Sequence, residues 1–211
     1  MDDAEQQWTW VAEQRLALAD ALDELPDAAW DGPSRCEGWR ARDAVGHLVF
    51  LAEGNRASVA LDLARQLRPP SAALDRIARR VGQASPAELV ARLRAASGGR
   101  FVVPGQPPAV SLGEVVVHGI DALRPSGAAE PALAPERAQP VAAAYRPIGL
   151  VFGTARAARQ VRFVATDGDW AVGPPDGPEA TGAAVDVVQA LAGRPDARAA
   201  LRGPGVALLG R

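Results

Sequence analysis

The run EVVVHGIDALRP, residues 114–125, places Glu114 and His118 four residues apart in an otherwise apolar helical stretch. Residues four apart lie on one face of a helix with Cβ atoms about 5–6 Å apart, so the two side chains can reach a common point. Ser111 precedes Glu114 by three residues, however, and that spacing equally suits a capping box in which Glu114 needs no ion. On spacing alone the cap is the favoured reading. Pro125 ends the helix in either case.

Working back toward the amino terminus, the pattern stays helical. Trp8, Val11, Arg15, Leu18, Leu22 and Leu25 recur at steps of three and four up to Pro26, the spacing of a helix packed against other helices. Val45, Leu48, Ala52, Val59, Leu63 and Leu67 continue the same rhythm as far as Pro69-Pro70, which predicts one long helix of about six turns. A shorter pattern covers Leu74 to Val81. In SPAEL, Ser85 is placed to cap, Pro86 suits the first helical position and Glu88 can complete a capping box, with Gly98-Gly99 marking the end. The amino-terminal part therefore reads as four or five helices without a convincing strand.

Toward the carboxyl terminus the period changes. VRFVATDGDWAVG reads as strand, turn on Asp167-Gly168-Asp169, and strand. AAVDVVQALAGRPD follows with helical spacing through Val185, Val188 and Leu191, and Gly193 stands as a helix stop before Pro195. GVALLGR at the end reads as an edge strand, and Arg124 to Pro140, rich in Pro and Gly, as a connection. The fold class is α+β, with a helical bundle over residues 1–158 followed by a small α/β domain over 159–211.

The 211 residues carry 23 basic and 25 acidic side chains, all the basic ones arginine, for a net charge of −2. Such a balance gives no basic face for phosphate backbones, so nucleic acid is not an expected partner. The opening MDDAEQQWTW is acidic where a secretion signal would be basic, and no apolar run approaches the roughly 20 residues that cross a bilayer, so a soluble cytoplasmic protein is expected. Cys36 is the only cysteine, which rules out an intrachain disulfide and a thiolate metal cluster.

Any transition metal must therefore sit on His, Asp or Glu. His47, the only other histidine, falls on the apolar face of the second helical run. Two helices facing inward can thus offer His47, Glu114 and His118 as an N, N, O donor set, an arrangement that bundle cores use for metals. Three protein ligands leave a position open, as in catalytic zinc sites. Asp43, one turn before His47, and Asp121, three residues after His118, are placed to orient the imidazoles, while a helix-start charge and a solvated outer-face residue are their simpler readings. Cys36, Trp30 and Trp39 read as packing residues.

Two stretches together resemble the mycothiol-dependent maleylpyruvate isomerase family, whose amino-terminal domain is a DinB-like four-helix bundle. CEGWRARDAVGHL, residues 36–48, is similar to the family's Cys-x-Gly-Trp segment followed by Asp and a metal-binding His, here His47. EVVVHGIDALRP is similar to its Glu-x-x-x-His-Gly-x-Asp run, which puts the other metal ligands at Glu114 and His118. TDGDWAVG followed by DVVQALAGR looks like the small α/β domain that family members append.

The resemblance implies a divalent ion, zinc as first choice, and mycothiol or a similar thiol as cosubstrate. It implies an enzyme that turns the thiol on an electrophilic small molecule, by S-transfer or by cis–trans isomerisation. It also points to Arg194 as a catalytic cation for substrate carboxylates, against the simpler reading of a charge near a helix carboxyl end. The competing expectation is a non-catalytic binding protein for a small molecule or partner on the same scaffold; a homodimer is compatible with either.

Overall fold

The computed structural model describes residues 2–65, 69–148 and 159–209, in two compact units, 1–131 and 132–211. In the first unit the helices are α1 (Asp3–Asp23), the single turn α2 (Asp27–Trp30), α3 (Ala41–Glu53), α4 (Arg56–Arg65), α5 (Pro70–Val81), α6 (Pro86–Ala95) and α7 (Pro108–Leu123). Helix α1 packs on α6 and α7, and α3 packs on α5, α6 and α7, so α1, α3, α6 and α7 form the four-helix bundle with α5 laid against α3.

The stripe read in the first helix does face inward, since Val11, Arg15, Leu18 and Leu22 are all buried. Leu18 and Leu22 meet Val45, Leu48 and Val49 of α3, Leu89 and Leu93 of α6, and Val115 and Leu123 of α7 around Trp30. Gly46 lets α5 close on α3, because a Cβ there would stand 2.6 Å from the Ala78 carbonyl oxygen and 2.7 Å from the Gly82 nitrogen. The approach fixes the rotation of α3 at the residue beside His47.

Two local expectations need correction here. The six-turn helix is broken at Gly54, which is extended (ψ 153°), and a new helix starts where Asn55 Oδ1 accepts from the backbone N–H groups of Ala57 and Ser58 at 3.1 and 3.0 Å. A glycine followed by a strong N-cap outweighs continuous apolar periodicity. Ser85 caps α6 by accepting from Glu88 N–H at 3.3 Å, as its motif indicated. Ser111, by contrast, lies inside α7, which begins a turn earlier at Pro108, and its hydroxyl donates to the Phe101 carbonyl at 2.7 Å. Glu114 is thus free of any capping box. Leu67 lies outside the described residues.

The second unit contains α8 (Pro135–Tyr145), β1 (Arg162–Ala165), β2 (Ala171–Val172), β3 (Glu179–Gly182), α9 (Ala184–Leu191) and α10 (Pro195–Ala200). The sheet runs β2-β1-β3, with β1 antiparallel to β2 (Phe163 opposite Val172) and parallel to β3 (Phe163 opposite Ala180). The hairpin and α9 are where the sequence placed them, and Asp167 Oδ1 in the turn accepts from Ala184 N–H at 2.7 Å to start α9. Gly193, at φ +83°, ends it.

The first compact unit ends at residue 131 and the second begins at 132. Helix α8 packs on α9 and β2, and Trp170 of the hairpin donates through Nε1 to the Pro135 carbonyl at 2.7 Å. The segment taken as a connection therefore supplies a helix, begun by Pro135 and continued through Pro140. The terminal GVALLGR is not an edge strand over its described part, where Pro204–Leu209 form a 3-10 helix; the sheet's third strand is β3. Glu-Ala-Thr-Gly carries no period-2 signal, so only pairing with β1 reveals it. Among the described residues no helix is long and apolar enough to cross a membrane.

Candidate metal centre

Helices α3 and α7 pack against each other, and His47, Glu114 and His118 converge between them. Glu114 Oε2 is 3.0 Å from His47 Nε2 and 3.5 Å from His118 Nε2. Zinc–nitrogen and zinc–oxygen bonds of 2.0–2.1 Å at tetrahedral angles place ligand atoms about 3.3 Å apart, so these separations fit donors around one ion. The two imidazoles meet edge to face with centroids 4.8 Å apart. The chemistry of the set, two neutral ring nitrogens and one carboxylate oxygen, suits a borderline divalent cation and leaves coordination positions for water or an exogenous ligand.

The electrostatics around the three groups are uneven. Burial alone would raise the Glu114 carboxyl, but hydrogen bonds with His118 and His47 outweigh it and hold the group well below the usual carboxylate range. Burial also works against a charged His118 ring, yet Asp121, Cys36 and Glu114 together raise its pKa well above the ordinary histidine value. Burial pushes His47 down, opposed by its bond with Glu114 and assisted by the charge of His118. One imidazole thus leans toward the cation and the other toward the neutral ring.

The sequence placed an orienting carboxylate behind each histidine, and the structure places one. Asp121 is fully buried, and its Oδ2 lies 3.2 Å from His118 Nδ1, where a ring N–H can donate to it and leave Nε2 turned toward Glu114. Arg35 NH1 is 3.5 Å from Asp121 Oδ1, and the Cys36 thiol donates to Asp121 Oδ2 at 3.1 Å, so the solvated outer-face alternative does not hold. Asp43 does not serve His47. It accepts from Arg40 N at 3.0 Å, Nε at 3.1 Å and NH2 at 2.9 Å, which makes it the start of α3, while His47 Nδ1 is buried without a partner among the described residues.

Two residues read as simple packing have further contacts. Cys36 Sγ lies 3.4 Å from His118 Nδ1, a contact across 82 positions that no local pattern signals. The Trp39 ring stands over the pair, 5.5 Å from His47 and 5.9 Å from His118 between centroids, and Nε1 donates to Asp75 Oδ1 at 2.7 Å. Beside His47 and Glu114 a cavity of about 120 Å³ is walled by Leu51, Leu74, Phe101, Val102, Val103, Val110 and Ser111. Arg194 belongs to the second unit; it caps α10, and its NH1 donates to the Ala192 carbonyl at 3.0 Å. His47, Glu114 and His118 are thus brought together within the first unit by itself.

Residues 11–100 match the family model described as the mycothiol maleylpyruvate isomerase N-terminal domain. The matched span contains Cys36, Trp39 and His47 and ends before Glu114 and His118. No curated protein matches the chain. Two solved structures share its fold across both units. The crystal structure of the mycothiol-dependent maleylpyruvate isomerase is 16% identical, with a TM-score of 0.59. That of a histidine-to-alanine mutant of the enzyme is 14% identical, with a TM-score of 0.61. Each alignment covers 96% of this chain and 93% of the other. The resemblance read in the sequence is borne out, as is the α+β class of a helical bundle followed by a small α/β domain.

Proposed function

We propose that this chain is a metal-dependent enzyme that holds a divalent ion, zinc by preference, on His47, Glu114 and His118 and directs a low-molecular-weight thiol, mycothiol or one like it, at an electrophilic small molecule. The observation that carries the reading is the convergence of these three donors, 3.0 and 3.5 Å apart about one carboxylate oxygen, between two helices of a bundle. The match of residues 11–100 to a mycothiol-enzyme domain supports the thiol.

An ion bound there supplies a Lewis acid that lowers the pKa of a sulfur ligand toward neutrality, so that no protein thiolate is needed as nucleophile. The residues supply the rest. Asp121 accepts a hydrogen bond from the Nδ1–H of His118 and leaves Nε2 as the donor atom. Glu114 contributes the one negative charge of the set, and its low pKa keeps it ionised at any working pH. Trp39 covers one side of the imidazole pair and sheds water from it. S-transfer and cis–trans isomerisation both use this equipment, and the electrophile decides between them.

Elemental analysis of the purified protein beside His47→Ala and His118→Ala tests the reading, with mycothiol binding followed by calorimetry on the metal-loaded form. One metal per chain in the wild type, lost from both variants, and metal-dependent thiol binding are the expected results. Metal without thiol binding would make the protein a binding module, and a wild type that stays empty in added zinc would end the proposal.

A further inference from the structure

The cavity beside His47 measures about 120 Å³, a little below the roughly 150 Å³ of an apolar protein cavity that takes up benzene. Leu51, Leu74, Phe101, Val102, Val103 and Val110 make most of its wall. Its polar wall residues are His47 and Glu114, which the proposed ion engages, and Ser111, whose hydroxyl is spent on the Phe101 carbonyl at 2.7 Å. Among the described residues no arginine lines it.

A cation does lie close by in the bundle, and its arrangement is that of a structural group. Arg15 is 2% exposed and shares Leu51, Ser111 and Glu114 as walls of a separate void of about 10 Å³, room for about one water. Its NH1 donates to the carbonyls of Ser97 and Gly99 at 2.9 and 2.6 Å, which ties the end of α6 to α1. Burial pushes its pKa down only to about 10, so it stays charged while serving those carbonyls.

A carboxylate moved into the larger cavity would lose hydration against mostly apolar walls, with no spare donor among the described lining residues, whereas an alkyl group would gain by leaving water. We infer that the electrophile used at this centre presents a small uncharged apolar group to the cavity beside His47. The inference rests on the reading of His47, Glu114 and His118 as a metal centre, and deepens it by naming the substrate class.

The test titrates zinc-loaded and zinc-free protein with 1-butanol, butyrate and succinate, following Leu and Val methyl signals by NMR and heats by calorimetry. Expected is saturable movement of the Leu51, Leu74, Val102, Val103 and Val110 signals by 1-butanol in both forms, with succinate moving none of them. Val110→Phe, which narrows the cavity, should weaken 1-butanol about tenfold. Val103→Trp does the same from a position 56% exposed, where folding is not at stake. The inference is overturned if 1-butanol leaves those signals unmoved. It is equally overturned if butyrate or succinate binds the zinc-loaded form more tightly than 1-butanol. Failure to take up zinc would instead remove the metal reading, and the zinc-free titration would still decide what the cavity accepts.

Discussion

The two histidines of the centre sit in opposite surroundings. Behind His118 every polar group is engaged, with Asp121, Arg35 and Cys36 closing a buried network around Nδ1. Behind His47 no such partner stands among the described residues, Nδ1 has none there, and the space alongside is mostly apolar and wide enough for a small molecule. The contrast separates two jobs. A buried carboxylate network fixes a ring and strengthens its free nitrogen as a donor, whereas an apolar hollow next to the second ring leaves room for a small molecule.

The harshest way to break the contrast is to remove either ring. His118→Ala and His47→Ala should both abolish stoichiometric metal, measured by elemental analysis, because two donors do not hold a zinc ion against buffer competition. Next in size is a test of the network alone. Asp121→Asn should weaken metal binding by about 10–100-fold in a competition titration with a chromophoric chelator, while Asp43→Asn should leave metal affinity at the wild-type value. The cost of Asp43→Asn should appear instead in stability, as about 1 kcal/mol from the start of α3 in urea denaturation. Equal metal affinities in the two variants would erase the distinction between the rings.

The pH dependence sharpens the comparison further. His118 has a raised pKa in the ion-free protein, so an incoming metal must displace its proton, and affinity should climb as pH rises through and above the ordinary histidine range near about 6.5. For the ion-free fold the same raised value gives stability that is fully present below about 6.5 and lost as pH rises through the folded value. Glu114 acts in the other direction, its stabilisation being present above the usual carboxylate pKa and lost only in strong acid. Urea midpoints between neutral and mildly alkaline pH, with and without Asp121→Asn, read the His118 contribution, which the variant should shrink.

The smallest expected effect on the centre is mechanical. Gly46→Ala should cost about 2 kcal/mol of stability by forcing α5 off α3, and it should loosen metal binding only slightly, because its neighbour His47 keeps its place on α3.

Legibility in the sequence followed the same divide. Glu114 and His118 were readable as a pair from helical spacing, and Asp121 from its place three residues on, because helix geometry is local. The choice between a metal ligand and a helix cap for Glu114 was not local. It turned on α7 starting at Pro108, which put Ser111 inside the helix and sent its hydroxyl to Phe101. The break at Gly54-Asn55 was visible as residues, but apolar spacing on either side hid it. Cys36 and Trp39 acquired their contacts with His118 only when a loop was folded over α7, and the cavity walls came from the loop before α7 as well as from α3 and α5.

By itself, the sequence determined that the chain begins as a helical bundle and ends as a small α/β unit. It also determined that a metal, if bound, cannot rest on a thiolate cluster, Cys36 being the one cysteine, since apolar period and side-chain chemistry are properties of short stretches. Tertiary structure decided the rest. Packing α3 against α7 brought His47 within 3.0 Å of Glu114 across 67 positions of chain. The packing of α8 on α9 and β2 places that helix in the second unit, which begins at residue 132. Which histidine is backed by a carboxylate and which by a hollow depends on close approaches such as that at Gly46, and those are set by the sum of many contacts, not by any one motif.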